Sequence, residues 1–229
     1  EMFRVTIDAL QKIIDQDAAQ GLSKSSITND KMLMKALFKH AMERDIISKD
    51  YSAFVELPAV GAKFEKGAFT PGQMEQLDAL VHAGFPWADT VQMLCYTGFR
   101  VSEFLGLTPD SYHPENDGYL IGGLKTAAGK NRIVPIHPKV LPLFRAWLSR
   151  DGERIVCLDD GRPVSSARYR SFFSAVVKEL GTPQATPHWC RHTAASRMKM
   201  AGVDDLAVRR ILGHSDKDIT EHYTHIDVD

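Results

Sequence analysis

Five side chains between the middle and the end of the sequence have the chemistry to act on an anionic centre such as a phosphate. Arg100 follows a glycine in the string TGFRVSE. His188 and Arg191 lie three residues apart in TPHWCRHT, a spacing that places both on one face of a helix. His214 follows a glycine in LGHS, and Tyr223 comes nine residues later.

Arginine binds phosphate oxygens through a planar fork of N–H donors and stays charged at any working pH. Two arginines on the non-bridging oxygens would stabilise the transition state of phosphoryl transfer. A tyrosine can act as a covalent nucleophile, but its ordinary pKa of about 10 makes it weak unless nearby positive charge favours the phenolate. Each residue alone has an ordinary structural explanation, so the hypothesis depends on the ordered set.

Basic side chains are concentrated in the part of the sequence that holds most of this set. The whole chain has a net charge of −1, yet residues 120–214 carry 16 Lys and Arg against 7 Asp and Glu, a net charge of +9. Because polyanion binding depends on local charge, this segment is a candidate nucleic-acid surface. A generic basic surface is an equally good explanation of charge alone.

The elements that would position these residues begin with a helical region over residues 1–60. Thr6 or Asp8 can cap a first helix, and Ser25 or Ser26 can open a second. The second helix carries apolar residues at the i, i+3, i+4 spacing of a core-facing stripe. These are Leu33, Met34, Leu37, Phe38 and Ala41. Residues 61–69 lose this periodicity and are predicted to be a linker.

The second domain is predicted to span residues 70–229. Thr70-Pro71 predicts a helix start, since a capping hydroxyl precedes a proline in the first turn. Two β-prone runs, Tyr119–Ile121 and Ile133–Ile136, flank the turn-like string KTAAGKN and predict a hairpin. Further helices are predicted over 87–96, 100–105, 139–149, 165–180, 187–201, 204–212 and 216–223.

These elements predict a fold that is mainly α with one small antiparallel β-sheet (α+β), in two domains. Cys95, Cys157 and Cys190 are widely spaced and have apolar neighbours, so we interpret them as small hydrophobic residues. No apolar run is long enough for a membrane span and no signal-peptide pattern is present, so the expected location is the cytoplasm, in association with the nucleoid.

Four strings, TGFRVSE, LKTAAGKNRIVPI, TPHWCRHTAASRM and LGHSDKDITEHYTH, resemble the signature blocks of the tyrosine recombinases and phage-type integrases, in that family's order. The resemblance is strong over residues 70–226. Over residues 1–60 it is looser and indicates part of a helical core-binding domain. It implies site-specific DNA recombination, as in the integration or excision of a mobile element, without metal or cofactor.

The resemblance also implies residue roles. Arg100 and Arg191 would hold the scissile phosphate, and His188 is the histidine of the family's HxxR pattern. His214 would hydrogen-bond the phosphate, and Tyr223 would attack it to form a 3′-phosphotyrosine. Glu103 resembles an acidic residue that supports the site. Lys125 would protonate the leaving 5′ oxygen, with Lys130 on the same predicted turn as its competitor. The partners implied are double-stranded DNA, a homotetramer on two sites, and accessory DNA-bending or directionality factors.

Three alternatives remain at this point. A type IB topoisomerase would use the same chemistry without site choice, and a DNA-binding regulator of the same fold would lack the reaction. A metalloenzyme is suggested only by the spacing of His188 and His192, four residues apart on a predicted helix. The positive charge of Arg191 between them disfavours a bound cation.

Overall fold

A computed structural model describes residues 5–59, 67–123 and 130–213 of the chain. The chain divides into two compact units, Glu1–Glu65 and Lys66–Asp229. α-Helices make up most of the described residues, and one small antiparallel sheet lies in the second unit. The predicted fold class, mainly α with a small antiparallel sheet, is confirmed.

The described residues of the first unit form two helices and a 3-10 turn: α1 (Ile7–Ala19), α2 (Lys24–Met42) and Tyr51–Phe54. Thr6 caps α1, because its hydroxyl accepts a hydrogen bond from the Ala9 N–H, as predicted. Ser23 caps α2 by accepting from the Ser26 N–H. The predicted caps Ser25 and Ser26 are therefore wrong by one turn or less.

The core of the first unit is small. Its buried apolar residues are Leu10, Ile14, Ile27 and Val55. Met34 and Phe38 pack against this core from α2, whereas Leu33 and Leu37 are 60% and 59% exposed. The predicted apolar stripe of α2 is therefore confirmed at Met34 and Phe38 but not at Leu33 and Leu37.

The described helices of the second unit agree with the predicted pattern, and the helix predicted over 216–223 lies outside the described residues. Thr70 caps the first of them: its hydroxyl accepts from the Gln73 N–H, and the Gln73 side-chain oxygen accepts from the Thr70 N–H. Pro71 fits the first turn because that position needs no N–H donor. The helices described are α3 (Pro71–His82), α4 (Ala88–Thr97), α5 (Val101–Phe104), α6 (Leu141–Leu148), α7 (Ser166–Glu179), α8 (Pro187–Met200) and α9 (Asp205–Leu212).

The sheet has three antiparallel strands in the order β1 (Tyr112–His113), β2 (Tyr119–Gly122) and β3 (Arg132–Pro135). Ile121 pairs with Ile133, which confirms the predicted hairpin. The edge strand β1 was not predicted, since two residues are too few to show an alternating pattern. Strand β3 packs against α9 and so ties the hairpin to the end of the described chain.

Helix α4 is the central helix of the second unit. Eight of its ten residues are buried, and it packs against α3, α6, α7 and α8. Cys190 and Ala194 are buried small residues on α8, and small side chains permit a close approach of the two helices. The residues that follow α4 or lie on α8 are therefore positioned by a pair of helices packed against each other.

Gly98 ends α4 at the point where α4, α8 and α9 meet. It adopts the left-handed conformation (φ 66°), which favours glycine. A Cβ atom at this position would lie 2.5 Å from Leu212 Cδ2 and 3.1 Å from Ala194 Cβ. Both the backbone conformation and the space therefore require glycine here.

The second unit begins with a short segment fastened to α8. A Cβ at Gly67 would lie 2.1 Å from the Trp189 ring, so the backbone of Gly67 lies directly on that side chain. The Phe69 ring packs against Trp189 with centroids 5.8 Å apart. The Phe69 N–H donates to the Thr193 hydroxyl at 2.8 Å. Three successive contacts thus join this segment to one face of α8.

All three cysteines are buried thiols, which confirms their interpretation as small hydrophobic residues. Burial raises the pKa of the Cys95 and Cys157 thiols, so both stay protonated near neutral pH. Among the described residues, no helix is both long and apolar enough to cross a membrane.

Candidate active site

Arg100 stands between the end of α4 and the start of α5, and Glu103 fixes it there. The Arg100 N–H donates to Glu103 Oε2 at 2.9 Å, and Arg100 Nη1 donates to Glu103 Oε1 at 3.1 Å. The Glu103 side chain is 1% exposed, whereas that of Arg100 is 30% exposed. A buried carboxylate therefore orients a guanidinium that reaches solvent.

Glu103 is ionised in spite of its burial. Burial alone would raise its pKa, but the hydrogen bond and charge of Arg132 and the bond from the Arg100 N–H outweigh that effect, so the pKa of Glu103 is lowered. Arg132 Nη2 donates to Glu103 Oε2 at 2.7 Å. One carboxylate thus links two arginines.

Arg191 is the largest fully buried side chain among the described residues, with 1% exposure. Its helix, α8, begins at Pro187 after Thr186, so Arg191 lies in the second turn. Arg191 Nη1 donates to the Gly98 carbonyl at 2.8 Å, and Nη2 donates to the Leu212 carbonyl. The guanidinium therefore joins the end of α4, two residues before Arg100, to the end of α9.

His188 lies one turn before Arg191 on α8 and is exposed. Its ring meets the His192 ring edge to face, with centroids 4.7 Å apart. His188 and Arg100 line the same open groove of about 530 Å³, which we call the Arg100 groove. Its other lining residues are Val101, Arg170, Phe173, Ser174, Ala185, Thr186 and Pro187.

The structure thus brings Arg100 and His188 to one groove, with Glu103 bonded to Arg100. Arg191 is bonded to the carbonyl of Gly98, two residues before Arg100. Lys125, His214 and Tyr223 lie outside the described residues. Lys130 is described and exposed, and it lines a different groove of about 570 Å³ between β3 and α9, which we call the β3–α9 groove.

Two arginines near the site were not predicted. Arg132, on β3, is 6% exposed and bonded to Glu103. Arg170, on α7, is exposed and lines the Arg100 groove beside His188. Both belong to the basic segment 120–214, but charge density alone does not separate them from the other cations of that segment.

His188 and His192 are four residues apart on α8, a spacing that is also found in metal sites. Within residues 5–59, 67–123 and 130–213, no group of three or more His, Cys, Asp or Glu side chains could hold a metal ion. The described part of the site is instead dominated by guanidinium groups around one carboxylate.

Comparison with known proteins identifies the family. Residues 69–229 match the family model described as the phage integrase family. The chain belongs to the phage integrase family. This is the family of the tyrosine recombinases, as the resemblance of the four strings implies. Membership of this family means that the chain binds DNA and acts in site-specific DNA recombination.

Individual relatives agree with this assignment. Tyrosine recombinase XerC from Mycobacterium tuberculosis is 25% identical over 243 residues, which cover 98% of this chain and 80% of the relative, and the Mycobacterium bovis XerC matches to the same extent. Among solved structures, the Tn1549 transposon integrase in complex with circular intermediate DNA superposes with a TM-score of 0.82 at 26% identity, covering 96% of this chain and 81% of that one. A lambda integrase dimer bound to a core site has a TM-score of 0.79 at 17% identity, covering 100% and 67%, and shares the fold.

Proposed function

We propose that this recombinase cleaves and rejoins DNA through a covalent 3′-phosphotyrosine formed on Tyr223, and that it moves a mobile element. The observation that supports this most directly is the Arg100 groove. The partly exposed Arg100 and the exposed His188 line this common space, and the buried Arg191 lies one turn after His188 on α8. The likeness to a transposon integrase supports the mobile-element role.

In the proposed first step, Tyr223 gives its phenolic proton to solvent, and the phenolate oxygen attacks the scissile phosphorus while the bond to the 5′ oxygen breaks. Lys125 donates a proton to that oxygen, so a free 5′-hydroxyl leaves and the phosphate becomes a tyrosyl diester. Arg100 and Arg191 neutralise the charge on the non-bridging oxygens, and His188 and His214 donate hydrogen bonds to them. The diester keeps the energy of the broken bond, so the 5′-hydroxyl of a partner strand can reverse the step without ATP.

The electrostatics of the described residues favour this role for Arg100. Glu103 shares its charge between two arginines, so the Arg100–Glu103–Arg132 group keeps a net charge of +1 when Glu103 is ionised. A phosphate that enters the groove would therefore meet uncompensated positive charge beside a preorganised fork, which is the condition for strong transition-state stabilisation.

Exchange of strands requires four active sites, so we also propose a homotetramer on two DNA sites, with accessory DNA-bending or directionality factors. Solved relatives include a lambda integrase tetramer bound to a Holliday junction.

The test of Tyr223 is the formation of a denaturant-resistant adduct on nicked suicide DNA carrying the recombination site. The wild-type chain should form the adduct, and Tyr223→Phe should form none while binding DNA normally. Tyr119→Phe is a matched control. Tyr119 lies on β2, far from Tyr223 in sequence, and its ring stacks on the ring of His113. An adduct in Tyr223→Phe would refute the proposed nucleophile.

The general acid is tested separately. The Lys125→Ala variant should cleave ordinary DNA slowly. It should cleave at the normal rate a substrate in which sulfur replaces the bridging 5′ oxygen, since a thiolate leaves without a proton. Lys130→Ala is the matched control from the β3–α9 groove. Rescue of Lys130→Ala in place of Lys125→Ala would move the role to Lys130.

A further inference from the structure

Arg132 connects three elements that are distant in sequence. Its Nη2 donates to Glu103 Oε2 at 2.7 Å, and its Nε donates to the Ile211 carbonyl at 2.8 Å. Its guanidinium carbon lies 4.6 Å from the centroid of the buried Phe99 ring. The side chain is 4% exposed, so these contacts are made in a nearly water-free environment.

The end of α9 explains why an arginine is useful at this position. The last four carbonyls of an α-helix have no partner within the helix. In α9, the Gly213 N–H donates to the carbonyls of Arg209 and Arg210. The remaining two carbonyls, those of Ile211 and Leu212, accept from Arg132 and Arg191. Positive charge at a helix C-terminus is also stabilising because of the helix dipole.

We propose that Arg132 is a positioning residue for recombination: it locks Glu103, and through it Arg100, to the end of α9, from which the chain continues to His214 and Tyr223. The inference rests on the proposed function, because its effect on the reaction depends on the roles of Arg100 and Tyr223. Arg132 begins β3, so its guanidinium also joins the sheet to Glu103 and to the end of α9.

Lysine cannot replace Arg132 in this role. An ammonium group is a single point on a flexible stem, whereas the guanidinium presents Nε and Nη2 in one rigid plane toward two different acceptors. Arg132→Lys keeps the positive charge that balances Glu103, so it is the variant that preserves the fold. Arg154→Lys is a matched control, because Arg154 Nη1 donates to the Gly106 carbonyl at 2.8 Å without contacting Glu103 or α9.

The first measurement is the rate of adduct formation at saturating suicide DNA, with DNA affinity measured in parallel. Arg132→Lys should lower the rate about 100-fold, the order expected from a small misplacement of catalytic groups, and should change the affinity less than about threefold. Arg154→Lys should match the wild type in both. A normal rate in Arg132→Lys, or a loss explained wholly by affinity, would overturn the proposal.

A second substrate separates positioning from general damage to the fold. Replacing one non-bridging oxygen of the scissile phosphate by a methyl group removes the charge that Arg100 would neutralise. The rate ratio of wild type to Arg132→Lys should therefore fall about tenfold or more on this neutral substrate. An equal ratio on both substrates would refute the action of Arg132 through Arg100.

Hydrogen exchange tests the connection without any reaction. Arg132→Lys should lose amide protection both at residues 101–105 and at residues 209–213, while α3 and α6 keep theirs. Unchanged protection at both places would overturn the positioning role even if cleavage cannot be measured. Absence of an adduct with the wild-type chain would instead count against the Tyr223 mechanism, so the two failures are distinguishable.

Discussion

Replacement of Gly98 by alanine should destabilise the second unit by more than the cost of placing alanine in a left-handed backbone conformation. A non-glycine residue in the left-handed conformation costs about 1–2 kcal/mol. The added Cβ would also lie 2.5 Å from Leu212 Cδ2 and 3.1 Å from Ala194 Cβ. Overpacking of this kind costs about 1–3 kcal/mol, so the expected total is about 2–5 kcal/mol.

Gly181 provides a control for the backbone contribution. It has the same φ, 66°, but a Cβ there would have no atom within 4 Å. Gly181→Ala should therefore cost only about 1–2 kcal/mol. The difference between the two variants isolates the contact among α4, α8 and α9.

Urea unfolding followed by tryptophan fluorescence measures this difference in the correct part of the molecule. The chain has three tryptophans, Trp87, Trp147 and Trp189, and all lie in the second unit. The midpoint should fall further for Gly98→Ala than for Gly181→Ala, with the slope unchanged. Equal losses, within about 0.5 kcal/mol, would refute the close approach at Gly98. Leu212→Ala should cost less in the Gly98→Ala background than alone, because it removes the atom nearest the new Cβ.

Three further predictions concern charge, capping and metal. Glu103→Gln should lower the free energy of unfolding by about 3 kcal/mol near neutral pH, because two guanidinium groups lose their carboxylate. The folded-state pKa of Glu103 is lowered, so this stabilisation is present above the unfolded pKa of about 4.3 and is lost as pH falls through the folded pKa. If the difference in unfolding free energy between wild type and Glu103→Gln grew in acid, this explanation would be contradicted. Asp204→Ala should cost about 1 kcal/mol in urea unfolding, since Asp204 Oδ1 accepts from the N–H groups of Leu206 and Ala207, and an unchanged midpoint would refute the cap. Excess chelator should leave adduct formation unchanged, and its inhibition would mean that the reaction needs a metal.

Local patterns in the sequence predicted most of the second unit. Thr70-Pro71 starts α3 as expected because capping and the missing proline N–H are both decided within one turn. The pairing of β2 with β3 follows from two β-prone runs around a turn-like string, whereas their register comes only from the structure. In the first unit Ser23 caps α2 in place of the later serines, since several capping residues in succession leave the choice to packing.

The candidate site was predictable where it lies in short strings, and not where it depends on distant contacts. Arg100 and Glu103 are three residues apart, so their pairing fits one turn. The partners of Arg132 lie 29 and 79 residues away, at Glu103 and Ile211. No periodicity or motif in a single sequence distinguishes this arginine from exposed ones, and only the folded chain identifies it.

The attachment of Gly67 and Phe69 to α8 has a practical consequence for anyone who wishes to produce the second unit alone. The match to the family model begins at residue 69, and the first capped helix of the second unit follows Thr70, so either would suggest a start site. A shortened protein that begins at Thr70 would lack the backbone that covers Trp189 and the donor to Thr193. It would expose an indole on the very helix that carries His188 and Arg191. The shortened protein should therefore begin before Gly67.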